Sequence, residues 1–384
     1  MEIKQVYELA NLGVGEALGK TDVLKEDLTN LVDVGTEIIN NKSLDKFVHA
    51  LVDRIGRVVF VDRVYNTKTP DILRDNWDYG AVLEKIDIEM PEATENETWE
   101  LQDGASYDPN VFHQPKASAK FFNKYNTFEI DASVTDIQAR SAFASPAQLN
   151  SFISMLFTKV QNKLKLSVDK LKLSTIASAV ASTYHSDIGA GTASQKSGVK
   201  AVNLLKLYND STGKTLNKYQ AMKDLDFLKF ASRKIRAYSD YMTQMSELFN
   251  VGGADRFTDK NLQHIVLLSD FKRSADVYLQ SDTFHNEFTK LPEAQVVNFW
   301  QGSGKGYSLD DIAKIDVKDA EGNDVTIDCL IGCIFDRDAL AVCCQDYHVN
   351  TYYNPKAEFT TYFYKFKAGY FNDLNENMVI FFLA

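Results

Sequence analysis

The chain has 384 residues, of which 45% are hydrophobic and 25% are charged, a balance typical of a folded protein with a sizeable core. Its formal net charge of −11 argues against a protein that neutralises nucleic acid by itself, because phosphate binding needs a surplus of Lys and Arg. No apolar stretch reaches the length of a membrane span and the N-terminus lacks a signal-peptide pattern, so we expect no membrane association and synthesis in the cytosol.

The start of the chain predicts an arm followed by two helices. Residues 1–18 show no strong periodic pattern, so we expect an arm that settles on a partner surface. Apolar residues then recur at helical spacing over residues 22–40. Ser43 is a favoured cap for a second helix, which ends near Gly56.

Residues 84–108 form an acidic excursion with little capacity to build a core of their own. A strand at residues 57–64 precedes it, and the segment VLEKIDIEM at its start predicts another. The excursion has nine acids and one base, Lys85. Long segments of this kind are uncommon inside a compact domain. We expect a disordered loop or a hairpin that packs on another molecule, and nearby aromatic anchors favour the hairpin: Trp77, Tyr79 and Trp99.

The longest periodic pattern follows at residues 145–182 and predicts one continuous helix. Ser145 is a favoured N-cap and Pro146 fits the first turn. No Gly or Pro interrupts the apolar stripe, which consists of Leu149, Phe152, Leu156, Val160, Leu164, Val168 and Leu171, widened by Ile153, Met155 and Ile176. Against the single acid Asp169, the opposite face is expected to carry five bases: Lys159, Lys163, Lys165, Lys170 and Lys172. A helix of about 50 Å suits either a rod that spans a subunit or a long helix of an enzyme.

The next part of the chain predicts a mixed domain. Residues 186–198 are rich in Gly and Ser and predict a crossover between domains. A helix is expected to open at Asp226 and to include Met245 and Phe249. Further elements are a strand at 264–268, a helix at 269–278, strands at 296–300 and 325–335, and a hairpin turn at 319–324.

The chain ends in nearly continuous strand patterns. These lie at residues 349–353, 359–366 and 378–383, and a strand is also expected at 121–137 before the long helix. Four cysteines lie in late apolar runs, and we expect buried, reduced thiols: Cys329, Cys333, Cys343 and Cys344.

The polar residues show no pattern that supports catalysis. The six histidines do not pair at metal-ligand spacing, and no nucleophile motif occurs. The glycines around Lys305 do not match a phosphate loop, because the spacing and the residue after Lys305 are wrong. We expect a flexible surface loop there, formed by Gly302, Gly304 and Gly306, and no catalytic residue, cofactor or metal.

Three segments and the order of elements resemble the major capsid proteins of tailed bacteriophages, which have the Hong Kong 97-type fold. The segments are FLKFASRKIRAYSDYMTQMSELFN at 227–250, IVLLSDFKRSADVYLQSDTFHNEF at 265–288, and the run from IFDRDAL to the end at 334–384. The resemblance implies an α+β fold with an N-terminal arm, an extended β loop, a long spine helix, and peripheral and axial domains. The implied boundaries are 1–57 for the arm and helices, 58–131 for the β loop, 132–185 for the peripheral domain with the spine helix, 186–325 for the axial domain, and 326–384 for strands returning to the peripheral domain.

The same resemblance implies a structural function. Copies of the chain are expected to assemble as pentamers and hexamers into an icosahedral head in the host bacterial cytoplasm. The head is expected to enclose double-stranded DNA without sequence-specific binding, with a scaffolding protein and a portal protein as further partners. Two alternatives stay open: a cytosolic enzyme that uses the Gly-rich loop, and a tail or adaptor protein of a phage.

The charges suggest which residues make the contact between subunits. The excursion is acidic and the long helix is basic, so we expect one to lie over the other in a neighbouring copy. The hypothesis pairs Glu89, Glu92 and Glu95 with Lys163 and Lys170, and places Trp77 and Trp99 as anchors. Two unrelated solvated faces are the other interpretation of the same charges.

Overall fold

The structure is a computed structural model that describes residues 3–19, 24–25, 29–41, 43, 46–48, 50, 70–73, 83–88, 103–104, 106, 110, 117–142, 144–189, 196–281, 294–301, 308–319 and 322–384. The helices in these residues are α1 (Ile3–Leu18), α2 (Leu31–Asn40), α3 (Asp136–Ala142), α4 (Pro146–Ile188), α5 (Leu204–Thr212), α6 (Lys218–Ala221), α7 (Leu225–Tyr241), α8 (Ser269–Ser281) and α9 (Leu309–Ile312), with a 3₁₀ turn at Lys260–Leu262.

The strands are β1 (Leu83–Ile88), β2 (Ala117–Phe122), β3 (Tyr125–Thr135), β4 (Ala201–Asn203), β5 (Gln263–Leu268), β6 (Gln295–Val297), β7 (Ile315–Lys318), β8 (Asp324–Ile327), β9 (Leu330–Asp336), β10 (Leu340–Asn354), β11 (Phe359–Asn372) and β12 (Met378–Phe382). The described chain combines helices with strands that pair mainly antiparallel, which confirms the expected α+β class.

Helix α4 is a single element of 43 residues, about 65 Å long at 1.5 Å per residue. Ser145 has extended backbone angles and its hydroxyl oxygen accepts a hydrogen bond from the N–H of Gln148 at 3.3 Å, so it is the N-cap that the sequence predicts. The helix ends where the N–H of Gly189 donates to the carbonyl oxygen of His185 at 3.0 Å. The continuous helix predicted over 145–182 is therefore confirmed and extends to Ile188, nearly two further turns.

The two ends of α4 are buried in different hydrophobic cores. Its first part, from Leu149 to Val168, packs with α1, α2, β3 and β11 in the first core. Its second part, from Leu171 to Ile188, packs with the helices and strands of the rest of the chain in the second core. The predicted apolar stripe is buried except at Met155, which is 50% exposed. Met155 lies one turn before Lys159 and therefore shares the solvent face of that lysine.

The first core is covered by a three-stranded antiparallel sheet in the order β10-β11-β3. Alternate residues of β3 point inward, so Ile130, Ala132 and Val134 are buried while their neighbours are exposed. Phe128 of β3 lies opposite Phe366 of β11, and their rings stack at 5.0 Å between centroids.

The second core is built around a five-stranded sheet in the order β4-β12-β9-β5-β6. Every residue of β9 and β12 is buried, as expected for central strands covered on both faces. Gly332 of β9 is required there, because a Cβ would lie 2.7 Å from the carbonyl oxygen of Val266. The C-terminal strands are thus shared between sheets: β9 and β12 belong to this one, β10 and β11 to the first. The domain boundaries themselves stay a prediction.

Two expectations for helices were wrong. Residues 3–18 form α1 instead of an unpatterned arm, and its buried residues Ala10, Val14 and Ala17 recur at helical spacing. A Cβ at Gly13 would lie 3.2 Å from the ring of Phe47, so this side of α1 approaches its neighbour closely. Helix α7 starts after the N-cap Asp224, not Asp226, and ends at Tyr241, before Met245.

Other elements differ only in their limits. The helix expected over 22–40 begins at Leu31, and the strand expected over 121–137 is divided into β2 and β3. The strand expected over 325–335 is divided into β8 and β9, whereas the predicted hairpin of β7 and β8 is confirmed. The strand expected at 57–64 lies outside the described residues.

The continuity of α4 can be tested at Leu164, which is buried in the first core. Leu164→Pro removes a backbone hydrogen bond and adds a clash, at a cost of about 3 kcal/mol or more. Leu164→Ala is the matched control, since it loses only the side chain and costs about 2–5 kcal/mol. We expect soluble Leu164→Ala and insoluble Leu164→Pro on expression. Equal free energies of unfolding in urea for the two variants would contradict a continuous helix.

Candidate functional site

The hairpin of β1 and β2 is fixed to the subunit at its base. The strands pair antiparallel from Leu83 opposite Phe122 to Ile88 opposite Ala117. Leu83 and Phe122 pack against a small cluster of Ala341, Cys343 and Phe371 on β10 and β11. The rings of Phe122 and Phe371 lie 5.0 Å apart between centroids. The part of the acidic excursion that the structure describes therefore starts from a defined attachment point.

One buried carboxylate holds both strands of the hairpin. Lys85 and Lys120 lie directly opposite each other across the two strands, an arrangement that is unfavourable for like charges. Asp373, with its side chain 2% exposed, accepts from Lys85 Nζ at 2.6 Å and from Lys120 Nζ at 3.0 Å. Lys85 also donates to Glu376 at 2.5 Å. The carboxylates offset the repulsion between the lysines and tie the hairpin to the turn that follows β11. We call Lys85, Lys120, Asp373 and Glu376 the hairpin anchor.

The hairpin anchor shifts the pKa of its members. Burial works to raise the pKa of Asp373, but hydrogen bonds and charge from Lys85, the N–H of Asn375 and Lys120 outweigh burial and hold this pKa below the ordinary 3.8. Burial works to lower the pKa of Lys85, but Asp373 and Glu376 raise it above the ordinary 10.5. The stabilisation from Asp373 is therefore present above pH 3.8 and lost as the pH falls through its lowered pKa. The stabilisation from Lys85 is present below pH 10.5 and is lost as the pH rises through the raised pKa of this lysine.

The opposite face of the hairpin is largely apolar and open to solvent, with the exposed Glu84 directly opposite Phe121. Ile86 is 66% exposed and Phe121 is 63% exposed, and both alternate with the residues that face the anchor. Ala119 lies directly opposite Ile86 and is also exposed. Such an apolar sheet face is typical of a surface that is covered by another molecule.

A second candidate surface runs along the solvent side of α4. Lys159, Lys163 and Lys170 are exposed and lie within about 40° of one another around the helix. Lys159 and Lys163 line an open groove of about 640 Å³ whose other wall is formed by β3, with Glu129 and Asp131. β3 is the outer strand of its sheet in the described residues, so its free edge borders this groove.

The expected basic face is narrower than the sequence suggests. Lys172 is only 2% exposed, and Lys165 is half-buried. The reason is helical rotation, since Lys172 lies about 140° around the helix from Lys159. The exposed stripe therefore consists of three lysines.

Of the residues predicted to make the contact between subunits, the structure describes only the two lysines. Lys163 and Lys170 are both exposed on α4, and Lys163 lies in the groove. The structure does not describe Trp77, Glu89, Glu92, Glu95, Trp99, Gly302, Gly304 or Gly306. The pairing of acids with lysines, the anchoring role of the tryptophans and the flexible glycine loop all stay predictions.

The hairpin anchor is a feature that the sequence did not indicate. The one sequence feature related to it is Lys85, the single base in an acidic segment. A single base among acids is expected to pair with a carboxylate. The cysteine prediction is confirmed for Cys329, Cys333 and Cys343, which are buried thiols outside any disulfide. Burial raises the pKa of Cys329 to about 12, so this thiol stays protonated and unreactive.

The described part of the chain lacks two features that other functions would need. It contains no group of three His, Cys, Asp or Glu residues that could hold a metal ion. None of its helices has the length and hydropathy needed to cross a bilayer. What the geometry presents is a set of surfaces: an anchored hairpin with an open apolar face, and a lysine-lined groove.

The chain is similar to known capsid proteins. The family model of the Phi29-like phage major capsid protein matches residues 13–382. The major capsid protein of Bacillus phage GA-1 is 23% identical over 170 residues, which are 43% of this chain and 34% of that relative. The match therefore spans about a third of the length of that relative.

Solved structures with a similar course of the chain include two titled as phage capsids. The capsid structure of Staphylococcus phage Andhra is 11% identical, with 82% of this chain and 83% of that chain covered and a TM-score of 0.48. The capsid structure of cyanophage P-SCSP1u is 10% identical, with 84% and 88% covered and a TM-score of 0.44.

The family model matches nearly the whole chain, which is enough to assign the family. The chain belongs to the Phi29-like phage major capsid protein family. The family is one of phage major capsid proteins. Membership of this family does not favour either alternative, which were a cytosolic enzyme and a tail or adaptor protein of a phage.

Replacing Asp373 tests the hairpin anchor. Asp373→Asn removes the charge that two lysines share, and we expect the free energy of unfolding to fall by about 1–3 kcal/mol at pH 7. Hydrogen exchange of β1 and β2 should accelerate in this variant. Glu129→Gln is the matched control, because it breaks the exposed pair with Lys365 and costs about 0–1 kcal/mol. Equal effects of the two substitutions on hairpin exchange would show that Asp373 does not hold the hairpin.

Proposed function

We propose that the chain is the major head protein of a tailed double-stranded DNA phage, and that its copies assemble as pentamers and hexamers into an icosahedral head around the genome. The observation that carries the proposal is the family match over residues 13–382. The anchored hairpin supports it, because its open apolar face needs a partner that the single subunit does not supply in the described residues.

The contact between subunits is proposed to involve the acidic excursion and the lysine stripe of α4. β1 and β2 fix the chain on both sides of residues 89–116, which include most of the excursion. The stripe of Lys159, Lys163 and Lys170 is exposed, so it is accessible to a neighbouring copy. In this proposal Glu89, Glu92 and Glu95 lie over Lys163 and Lys170 of the neighbour. Each exposed pair contributes about 0–1 kcal/mol, and its main effects are on register and association rate.

Further partners follow from the same function. A scaffolding protein and a portal protein are proposed to take part in assembly in the host bacterial cytoplasm. The packaged DNA is proposed to lie inside without sequence-specific binding. The net charge of −11 supports this, since a chain of that charge is unsuited to condense a genome by neutralising it.

Electron microscopy of the expressed chain tests the proposal. We expect closed or aberrant shells from the unaltered chain, with a scaffold supplied if none form alone. Changing Glu89, Glu92 and Glu95 together to Lys should block assembly of a folded subunit, because the reversed charges face lysines. Adding Lys163→Glu and Lys170→Glu should restore part of the assembly.

The matched control adds Lys314→Glu and Lys318→Glu to the same triple variant. Both lysines are exposed, and Lys318 ends β7 while Lys314 directly precedes it. Neither belongs to the lysine stripe of α4, so reversal of their charges should not restore assembly. Normal assembly of the triple variant at low salt would show that the charge pairing does not exist. Only small, uniform particles from the unaltered chain, with or without scaffold, would contradict the capsid function.

A further inference from the structure

The segment between α7 and β5 has an unusual distribution of polarity. Together with Tyr241, the last residue of α7, it covers residues 241–262. It has little regular structure beyond a 3₁₀ turn, yet it buries the polar Asn250 and Thr258, which are 2% and 0% exposed. It exposes large apolar side chains instead: Tyr241 at 54%, Met245 at 49%, Leu248 at 55% and Phe257 at 50%. A surface loop commonly shows the reverse pattern. We call these four residues the apolar loop surface.

Hydrogen bonds hold this segment in place from within. Ser246 and Arg256 exchange backbone hydrogen bonds at 3.0 and 3.3 Å, and the N–H of Thr258 donates to the carbonyl oxygen of Met242 at 2.7 Å. The side chain of Asn250 donates to the carbonyl oxygen of Ala254 at 2.6 Å and accepts from its N–H at 3.0 Å. A long segment that is fixed in this way is typical of a functional loop.

The same bonds direct the apolar side chains outward. Ser246 and Arg256 form an antiparallel bridge, so Met245 and Phe257 occupy the adjoining positions across from each other. The side chain of Arg256 extends toward Glu376, with Nε 3.8 Å from Oε1. Because successive side chains alternate in an extended segment, Phe257 points the other way, to solvent.

The surroundings of this surface carry an excess of acids, since the one exposed base of the segment, Lys260, is paired with Asp240 at 2.6 Å. Glu247, Asp255 and Asp259 are exposed beside it in the same segment. Aromatic and Met side chains with a charged rim are typical of the centre and edge of a protein interface. Contiguous exposed apolar patches mark interaction sites.

The chain itself carries a surface of matching charge on α7. The charged groups of Arg233 and Lys234 each lie 5.8 Å from the ring centroid of Phe230, which is half-buried. Arg233 is exposed. Arg paired with an aromatic ring is a common anchor at interfaces, and the positive charge complements the acidic rim of the apolar loop surface.

We propose that the apolar loop surface of one subunit packs against the Phe230, Arg233 and Lys234 face of a second copy of this chain. The proposal rests on the proposed function, since it requires copies to meet in a shell. It adds a second contact, distinct from the acidic excursion and the lysine stripe, and it gives a role to side chains that an isolated subunit leaves in water.

Thiol labelling of a Leu248→Cys variant tests the proposal. Leu248 is exposed, so the substitution should leave the thermal unfolding temperature unchanged. We expect rapid labelling by a maleimide in free subunits and labelling at least tenfold slower in assembled particles. The unaltered chain, labelled in parallel, measures the reaction of the native cysteines.

A cross-link identifies the occupant. Particles are assembled from a mixture of two variants, Glu247→Cys and Arg233→Cys, and treated with a short bis-maleimide. We expect a linked peptide pair that joins position 247 of one copy to position 233 of another.

The outcomes separate this proposal from the proposed function. Particles in which Leu248→Cys reacts as fast as in free subunits would overturn the proposal and leave the capsid function intact. Protection of Leu248→Cys without the 247–233 link would show that another partner covers the surface, and would also overturn it. Failure of the unaltered chain to form particles would count against the proposed function instead.

Discussion

The burial of one helix in two cores is the constraint on which the rest of the fold depends. Side chains from Leu149 to Val168 complete the first core, and those from Leu171 to Ile188 complete the second. Each fully buried large apolar side chain contributes about 1.5–3 kcal/mol. A helix in a protein takes most of its stability from such packing, so α4 depends on both cores and each core depends on α4. The sheets of the subunit are positioned relative to each other by this shared element.

A short turn has a comparable role for the surfaces of the subunit. The residues between β11 and β12 include Asp373, which holds the hairpin through Lys85 and Lys120. The carbonyl oxygen of Leu374 in the same turn accepts from the N–H groups of Val251 and Gly252, at the base of the apolar loop surface. The hairpin and the apolar loop surface are therefore supported by one turn.

The long helix could be predicted because its signals are local. A cap at Ser145, a proline in the first turn and an uninterrupted apolar stripe all occur within one stretch of chain. Helix α1 was missed although Ala10, Val14 and Ala17 recur at helical spacing, because Gly13 and Gly15 within the segment argue against a helix. The end of α7 was also missed, because Phe249 keeps the spacing of the helix although its carbonyl oxygen accepts from the N–H of Met378, far along the chain.

The hairpin anchor lay beyond sequence reasoning for the same physical reason. Lys85 and Asp373 are 288 positions apart, and their contact depends on the pairing of β1 with β2 and on the packing of both against β10 and β11. Lys172 is the opposite case, a residue that the sequence predicted to be on the surface and that the fold buries. Residue type alone placed it on a solvated face, whereas the helical rotation and a second core bury it.

Hydrogen exchange along α4 tests the central account most directly. If one helix couples the two cores, amides in the segments at 149–168 and 171–188 exchange as one cooperative unit with a single free energy of opening. The buried residue Ile176 allows the coupling to be tested, since Ile176→Val weakens only the second core by about 0.5–1.5 kcal/mol. The account predicts that this substitution lowers protection equally in both segments. A loss of protection confined to residues 171–188, with residues 149–168 unchanged, would contradict it.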